Sequence, residues 1–472
     1  MLSGCATTPF NKDQSAFEYF KHTAVGIDEV RLSHPRLHFT GTDAQAAWLE
    51  QIDSSEPGDV IEIGQFYVRP GRVVTAIRDH LQAKLNQGVR VRLKLDFMFS
   101  VSALREFDRL KTSPNFELEI VNPPTQEFIA FVAASYGVKD AALLVDAIIS
   151  ADLPILHQAL AGSKLQAAIG QMPAPTPEVL LGAVLKRVVE ETGFFKLLTL
   201  KSKLEELASR FHDKYLVVHR KHQSTTSVAI GGRGWADSFN EKYRHPNSLY
   251  YSDTDLSFEV APETGGTDQT RALTSFAKGN RVNSARAYEA NMIAAIFAAR
   301  REIKIYTPYF TPTDVVLRTL AKSTQRGVQV SVYTNSVGSS DIPLVPIYLY
   351  ANLAQWAKEL GASFHFFTFT APPGECLHTK VTLLDGEVAI VGSGNWDYRS
   401  FLYDSDSWVA VESGKIVQAL TSRLNDPKFN AWHEWTQEEL NSASEQLKTL
   451  VPEKPLKDAL KFLEKTAVTN QL

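Results

Sequence analysis

The 472-residue chain is expected to fold as two tandem α/β domains with mixed sheets, built as a pseudo-twofold duplication with a helical insertion in the first half. Three observations predict this. The chain is longer than one hydrophobic core usually supports. A strand, helix and strand grammar occurs once in each half. The surplus length of the first half carries apolar residues at helical spacing.

In the first half, Val60 to Tyr67 reads as a strand, Val74 to Leu85 as a helix with Gly88 as its stop, and Val89 to Leu95 as a second strand. In the second half, Ile303 to Tyr306 is a strand, Asp314 can cap a helix running to Ser323, Gly327 stops it, and Val328 to Tyr333 is the returning strand. Short connections in both places imply a right-handed parallel βαβ unit. The surplus lies near residues 125–205, where Leu180/Val184/Val188 and Leu181/Leu185/Val189 keep helical spacing and Gly162 and Pro173 to Pro177 mark loops. A packed helical subdomain is the bland reading of this insertion; its apolar content also fits a lipid-facing element. The expected organisation is an N-terminal segment over 1–37, a first domain over 38–265, a second over 266–440 and a helical tail over 441–472.

Hydrophobic residues make up 44% and charged residues 22%, the composition of a folded protein, and a formal charge of −4 offers no broad attraction to nucleic acid. No apolar run reaches the roughly 18 residues that span a bilayer, so membrane contact has to come through an anchor or a surface face. Leu2-Ser3-Gly4-Cys5 resembles a bacterial lipobox, which makes Cys5 the expected lipidation site in a cell-envelope, membrane-associated protein; the charged and apolar regions of a signal peptide do not precede it. Cys5 and Cys376 supply neither a disulfide framework nor metal-ligand spacing. His219 and His222 read as surface or turn residues, and Trp432 to Trp435 as an amphipathic helix end. The Lys/Glu-rich stretch from Gln437 reads as a solvated helix.

The sharpest signal is Leu377-His378-Thr379-Lys380, then Asp385, then Gly392-Ser393-Gly394-Asn395-Trp396. On a strand, His378, Lys380 and Thr382 share a face, so an imidazole and an ammonium can point into one cleft. Phosphate chemistry uses that pair: the imidazole attacks or shuttles a proton, and the lysine neutralises non-bridging oxygens. Asn395 adds a neutral donor, the Gly-Ser-Gly run admits an anion close to the backbone, and Asp406 is expected to orient His378. The pattern of His-x-Lys, four residues, Asp, six residues and Gly-Ser-x-Asn resembles the signature of the phospholipase D superfamily.

The first half holds a degraded copy, Phe211-His212-Asp213-Lys214 followed by Gly231-Gly232-Arg233-Gly234-Trp235. His219 stands in place of the Asp and Gly234 in place of the Asn. Asp253 or Asp255 is expected to serve the histidine here, with Asp255 preferred. The resemblance extends from about residue 38 to Glu412 outside the insertion, and is nearest to bacterial cardiolipin synthase-like proteins through Tyr333-Thr334-Asn335-Ser336, Asp341-Ile342-Pro343, the Gly231-Gly232-Arg233 variant and Asp237. It implies two phospholipase D-like αβα domains and a phosphohistidine mechanism without metal or other cofactor. His212 would be the nucleophile, His378 the acid/base, and Lys214 and Lys380 the oxyanion holders. Gly231, Gly232, Ser393, Trp235 and Trp396 are the expected substrate-binding residues. The partners implied are a phospholipid and a membrane surface, with monomer and homodimer both open. A nuclease on the same scaffold and a non-catalytic phosphate- or membrane-binding protein are the competing readings.

Overall fold

The computed structural model describes residues 14–122, 137–140, 142–144, 153–163, 210–223, 225–245, 248–261, 270–275, 281–342, 344–370 and 374–451. Cys5 and most of the expected insertion lie outside them.

The strands of the first half are β1 (Asp28–His38), β2 (Val60–Gln65), β3 (Arg90–Asp96), β4 (Phe116–Val121), β5 (Lys214–His219), β6 (Thr226–Gly231) and β7 (Asp255–Ala261). Those of the second are β8 (Thr270–Ser275), β9 (Glu302–Tyr306), β10 (Gln329–Asn335), β11 (Phe364–Phe369), β12 (Val381–Leu384), β13 (Val388–Gly392), β14 (Trp408–Glu412) and β15 (Trp432–Glu434). All fifteen join one mixed sheet in the order β15-β11-β10-β9-β12-β13-β14-β8-β1-β7-β6-β5-β2-β3-β4. Outward from the antiparallel β1/β8 junction, β7-β6-β5-β2-β3-β4 on one side mirrors β14-β13-β12-β9-β10-β11 on the other. Within each half, β2/β3/β4 and β9/β10/β11 are parallel and the remaining pairs antiparallel.

The helix Arg72–Asn86 makes the crossover from β2 to β3, and Asp314–Gln325 that from β9 to β10. Both stop the same way. Gly88 and Gly327 adopt φ of +89° and +88°, which costs little without a Cβ. The next N–H reaches back five residues, Val89 to the Lys84 carbonyl and Val328 to the Ser323 carbonyl, each at 3.1 Å. The second crossover helix is capped by Thr313, whose hydroxyl accepts from the Val316 N–H, rather than by Asp314, which occupies the first turn. Its face of Val316, Leu317, Leu320 and Ala321 packs with Ile303, Ile305 and Val330 of the sheet. Burying each large aliphatic side chain contributes about 1.5–3 kcal/mol.

Three stretches differ from expectation. Residues 28–37, assigned to a separate N-terminal segment, belong to β1, an interior strand of the sheet between β8 and β7, while the helix Ala16–Thr23 before it buries Phe17 and Phe20, the latter stacked on Trp408 at 5.7 Å. The charges of Asp28, Glu29, Arg31 and Arg36 hide this strand from a hydropathy reading. Trp432 to Glu434 is an edge strand antiparallel to β11, not a helix end, because Trp432 packs on Tyr333 and Phe369 and Trp435 on Phe366. The helix Ala443–Leu450 is amphipathic, with Ala443 and Leu447 buried in the second-half core.

Candidate active site

Both His-x-Lys segments lie where a strand begins at the boundary between halves: Lys214 opens β5, and Lys380 immediately precedes β12. Backbone contacts across that boundary fix them. The His212 N–H donates to the Ser405 carbonyl at 3.0 Å, and the His378 N–H to the Ser252 carbonyl at 2.7 Å. One residue earlier, the Phe211 N–H donates to Asp96 (3.0 Å) and the Leu377 N–H to Asn335 (3.0 Å), side chains from the ends of β3 and β10.

Because Ser252 and Ser405 each precede an aspartate, this clamping hands each histidine the carboxylate of the opposite half. His212 Nδ1 lies 2.7 Å from Asp406 Oδ1, and His378 Nδ1 lies 2.5 Å from Asp253 Oδ2. The expected pairing is therefore corrected twice. Asp406 serves His212 rather than His378, and Asp255 serves neither histidine. Asp255 Oδ2 instead accepts from Arg233 Nε at 2.6 Å in a buried ion pair. Strand register carries the missing signal: Asp255 pairs with Gly231 and Trp408 with Gly392, so Asp253 and Asp406 each stand two residues before equivalent positions.

Lys214 Nζ donates to the His212 carbonyl at 2.9 Å, and Lys380 Nζ contacts the His378 carbonyl and lies 2.7 Å from His378 Nδ1. Burial dominates the electrostatics. It lowers both lysines, and with the neighbouring lysine ammoniums it lowers both imidazoles, His378 to about 4, which favours their neutral forms. Burial also pushes the Asp253 carboxyl up, but Lys380 and His378 outweigh it and hold the group below its ordinary value. Asp406 goes the other way, raised by burial and by the neighbouring Asp404.

The signature residues divide between chemistry and framework. Asp385 takes backbone N–H groups of Arg300 (2.9 Å), Arg301 (2.7 Å) and Glu302 (3.0 Å), tying the turn after β12 to the start of β9. In the first half His219 is exposed, and Asp59 takes over by accepting from Lys221 N–H (2.8 Å) and Glu56 N–H (2.9 Å). Asn395 lines the cavity. A Cβ on Gly234, its counterpart, would come within 2.9 Å of the Tyr67 carbonyl and 3.1 Å of the Phe239 ring.

A cavity of about 280 Å³ is lined by both histidines, Lys214 and Asn395, with Phe66, Phe99, Phe239, Ile342 and Val345 as apolar lining and Asp341, Asp397, Arg399 and Asp404 as further polar lining. None of the five expected substrate-binding residues lines it. Trp235 and Trp396 are 2% exposed and packed in the cores of their halves, with Trp396 Nε1 donating to Thr382 at 3.0 Å. Ser393 donates to Asp406 at 2.8 Å. Gly231 and Gly232 give space to protein carboxylates instead of an anion: a Cβ at 232 would lie 2.6 Å from Asp253 Oδ1, and one at 231 would overlap Asp255. Conversely, Tyr251, Tyr309, Asp341 and Arg399 are cavity residues that the sequence reading does not assign to the site; Tyr251 lies on the short strand Tyr250–Ser252, Arg399 on the short helix Tyr398–Leu402, and Tyr309 and Asp341 in loops, all too short to carry a periodic signal.

Among the described residues no helix is long and apolar enough to cross a membrane. A family described as "cardiolipin synthase, PLD-like domain" matches residues 292–426, which include His378, Lys380, Asn395 and Asp406. The chain is 27% identical over 145 residues to cardiolipin synthase C of Escherichia coli (strain K12), covering 27% of this chain and 30% of that protein. It is 34% identical over 110 residues to cardiolipin synthase A of Edwardsiella ictaluri (strain 93-146), covering 23% and 21%. These matches span less than a third of the curated relatives' length. The crystal structure of phosphatidylserine synthase from Haemophilus influenzae Rd KW20 is similar over 97% of this chain and 100% of that one, with a TM-score of 0.57 at 11% identity, a likeness of fold.

Proposed function

We propose, for a chain that belongs to the phospholipase D superfamily and stands close to its cardiolipin synthase members, that it cleaves a phospholipid phosphodiester and passes the phosphatidyl group to an alcohol or to water. The observation that carries this reading is one cavity containing two imidazoles, each braced by a carboxylate of the opposite half. In the first step His378, which takes up a proton from solvent as the anionic diester enters beside it, supplies the acid: His212 Nε2 attacks phosphorus, the N–P bond forms, the P–O bond to the headgroup breaks, and His378 gives that proton to the departing oxygen. In the second, His378 takes the proton of the incoming hydroxyl, whose oxygen displaces His212. The ionised Asp253 supports a proton on His378, whereas Asp406, raised by burial, supports one on His212 less well. That contrast favours His378 as acid/base. Lys214, Lys380 and Asn395 hold the phosphoryl oxygens.

The apolar lining and the carboxyl groups among the lining residues suit a lipid better than a nucleic acid polyanion. The test is incubation with vesicles of phosphatidylglycerol and phosphatidylethanolamine, resolving phosphatidic acid, free headgroup and cardiolipin. Cardiolipin is the expected product of transfer to a phosphatidylglycerol hydroxyl. Phosphatidic acid alone would make the enzyme a hydrolase. Unchanged lipid with cleavage of DNA would overturn the reading.

A further inference from the structure

The two ends of the cavity differ in a way the two-histidine mechanism does not use. Beside His212, Phe66 and Phe99 form an apolar wall, their rings tilted by 38° with centroids 4.4 Å apart and Phe66 4.5 Å from the imidazole. Beside His378, the loop between β10 and the helix Leu344–Leu360 brings in Asp341. Its Oδ1 accepts from the Tyr309 hydroxyl at 2.6 Å and lies 3.8 Å from the Cys376 thiol; its Oδ2 accepts from the Tyr251 hydroxyl at 3.3 Å. The Tyr251 ring in turn sits 5.3 Å from that of His378. A carboxylate offers about four acceptor sites, and the single long bond to Oδ2 leaves capacity directed at whatever occupies the cavity.

We infer that Asp341, with the hydroxyls of Tyr251 and Tyr309, forms the alcohol subsite beside His378 and selects alcohols that carry a second hydrogen-bond donor, a neighbouring hydroxyl or an ammonium, over simple alkanols. The inference rests on the reading of His378 as acid/base. The alcohol that leaves takes its proton from His378 and the one that arrives gives it back, so both occupy the Asp341 end. The retained phosphatidyl group then extends along Phe66 and Phe99. A second donor on the alcohol meets the half-buried Asp341 carboxylate, whose Oδ2 has acceptor capacity beyond its 3.3 Å bond from Tyr251, and an alkanol leaves that capacity unused.

The full-length protein would be given phosphatidylglycerol vesicles with deuterated glycerol, deuterated ethanolamine and 1-propanol at equal concentration, and the labelled phosphatidyl alcohols separated by mass. The parent is expected to favour glycerol or ethanolamine over 1-propanol. Asp341→Ala should lower that ratio about tenfold. Asp341→Asn keeps the shape and removes the charge, so it should lower the ratio about tenfold if ammonium is the recognised group and about threefold if hydroxyl is. Being isosteric, it decides the matter should Asp341→Ala not fold. Product ratios equal in parent and variants, or a parent without preference, would overturn the subsite while leaving phosphatidyl transfer standing. A parent that converts no lipid would remove the transfer reading and the subsite with it.

Discussion

The His212 and His378 surroundings are built to one plan and furnished differently. Both imidazoles sit where a strand begins, both donate a backbone N–H across the boundary, and both lean on an aspartate of the other half. Beside Asp406 the second half supplies the Ser393 hydroxyl, and its Asn395 lines the cavity; beside Asp253 the first half supplies Gly232 and the Arg233–Asp255 ion pair, its Gly234 faces Tyr67 and Phe239, and Phe239 and Tyr251 lie against the ring of His378. The lesson lies in the exchange. Because the carboxylates cross over, the altered motif of the first half changes the neighbourhood of His378, in the intact motif, and leaves His212 with the complete shell of the second half.

The largest expected effect tests whether the halves act as one site. On the proposed mechanism, His212→Ala and His378→Ala should each lower the proposed phosphatidyl transfer by about a thousandfold or more, since each would remove a group that the mechanism needs. A His212→Ala variant within a few fold of the parent would break the comparison by making the second half sufficient alone.

Acid should next expose the burial of the neutral rings. His378 is lowered to about 4 in the folded chain against about 6.5 unfolded, so the unfolded state takes up its proton first. Stability held above pH 6.5 should decline as pH falls toward 4, by about 3 kcal/mol for this group at about 1.4 kcal/mol per unit. His212, also lowered, acts in the same direction. Denaturant titrations at pH 7.5 and 4.5 would measure the loss, and His378→Gln should flatten it.

The crossover itself is sharpened by Asp253→Asn and Asp406→Asn, each expected to cost about a hundredfold in rate by leaving a ring poorly oriented. In double-mutant cycles Asp253 should couple to His378 and Asp406 to His212; coupling within each half would restore the pairing the sequence suggested. Asp385→Ala, which orphans the backbone N–H groups of Arg300, Arg301 and Glu302 at the start of β9, should destabilise by about 2 kcal/mol, with the rate near that of the parent where the variant is folded. The mildest change is Gly234→Asn. Restoring the signature amide should add no activity and cost about 1–2 kcal/mol, because Tyr67 and Phe239 fill the space.

Much of the framework was legible in the chain. The paired βαβ units, with Gly88 and Gly327 as stops, follow from local periodicity and turn chemistry, which do not need distant residues. The two His-x-Lys pairs were equally readable, because their alternation and spacing are local. What failed were assignments across long separation. Trp235 and Trp396 follow glycine-rich motifs and look like substrate contacts, yet the strand geometry turns both into core. β1 was hidden because its charges sit on a half-exposed strand whose neighbours, β7 and β8, lie over two hundred residues away.

By itself, then, the sequence determined the residue types of the site, the family resemblance, and the helix and strand content around each motif, since these depend on covalent neighbours and side-chain chemistry. Tertiary structure alone decided which aspartate braces which histidine, that Asp341 joins the cavity, and that Gly234 has no room for an amide. Those outcomes depend on distances between segments that only the packed sheet brings together.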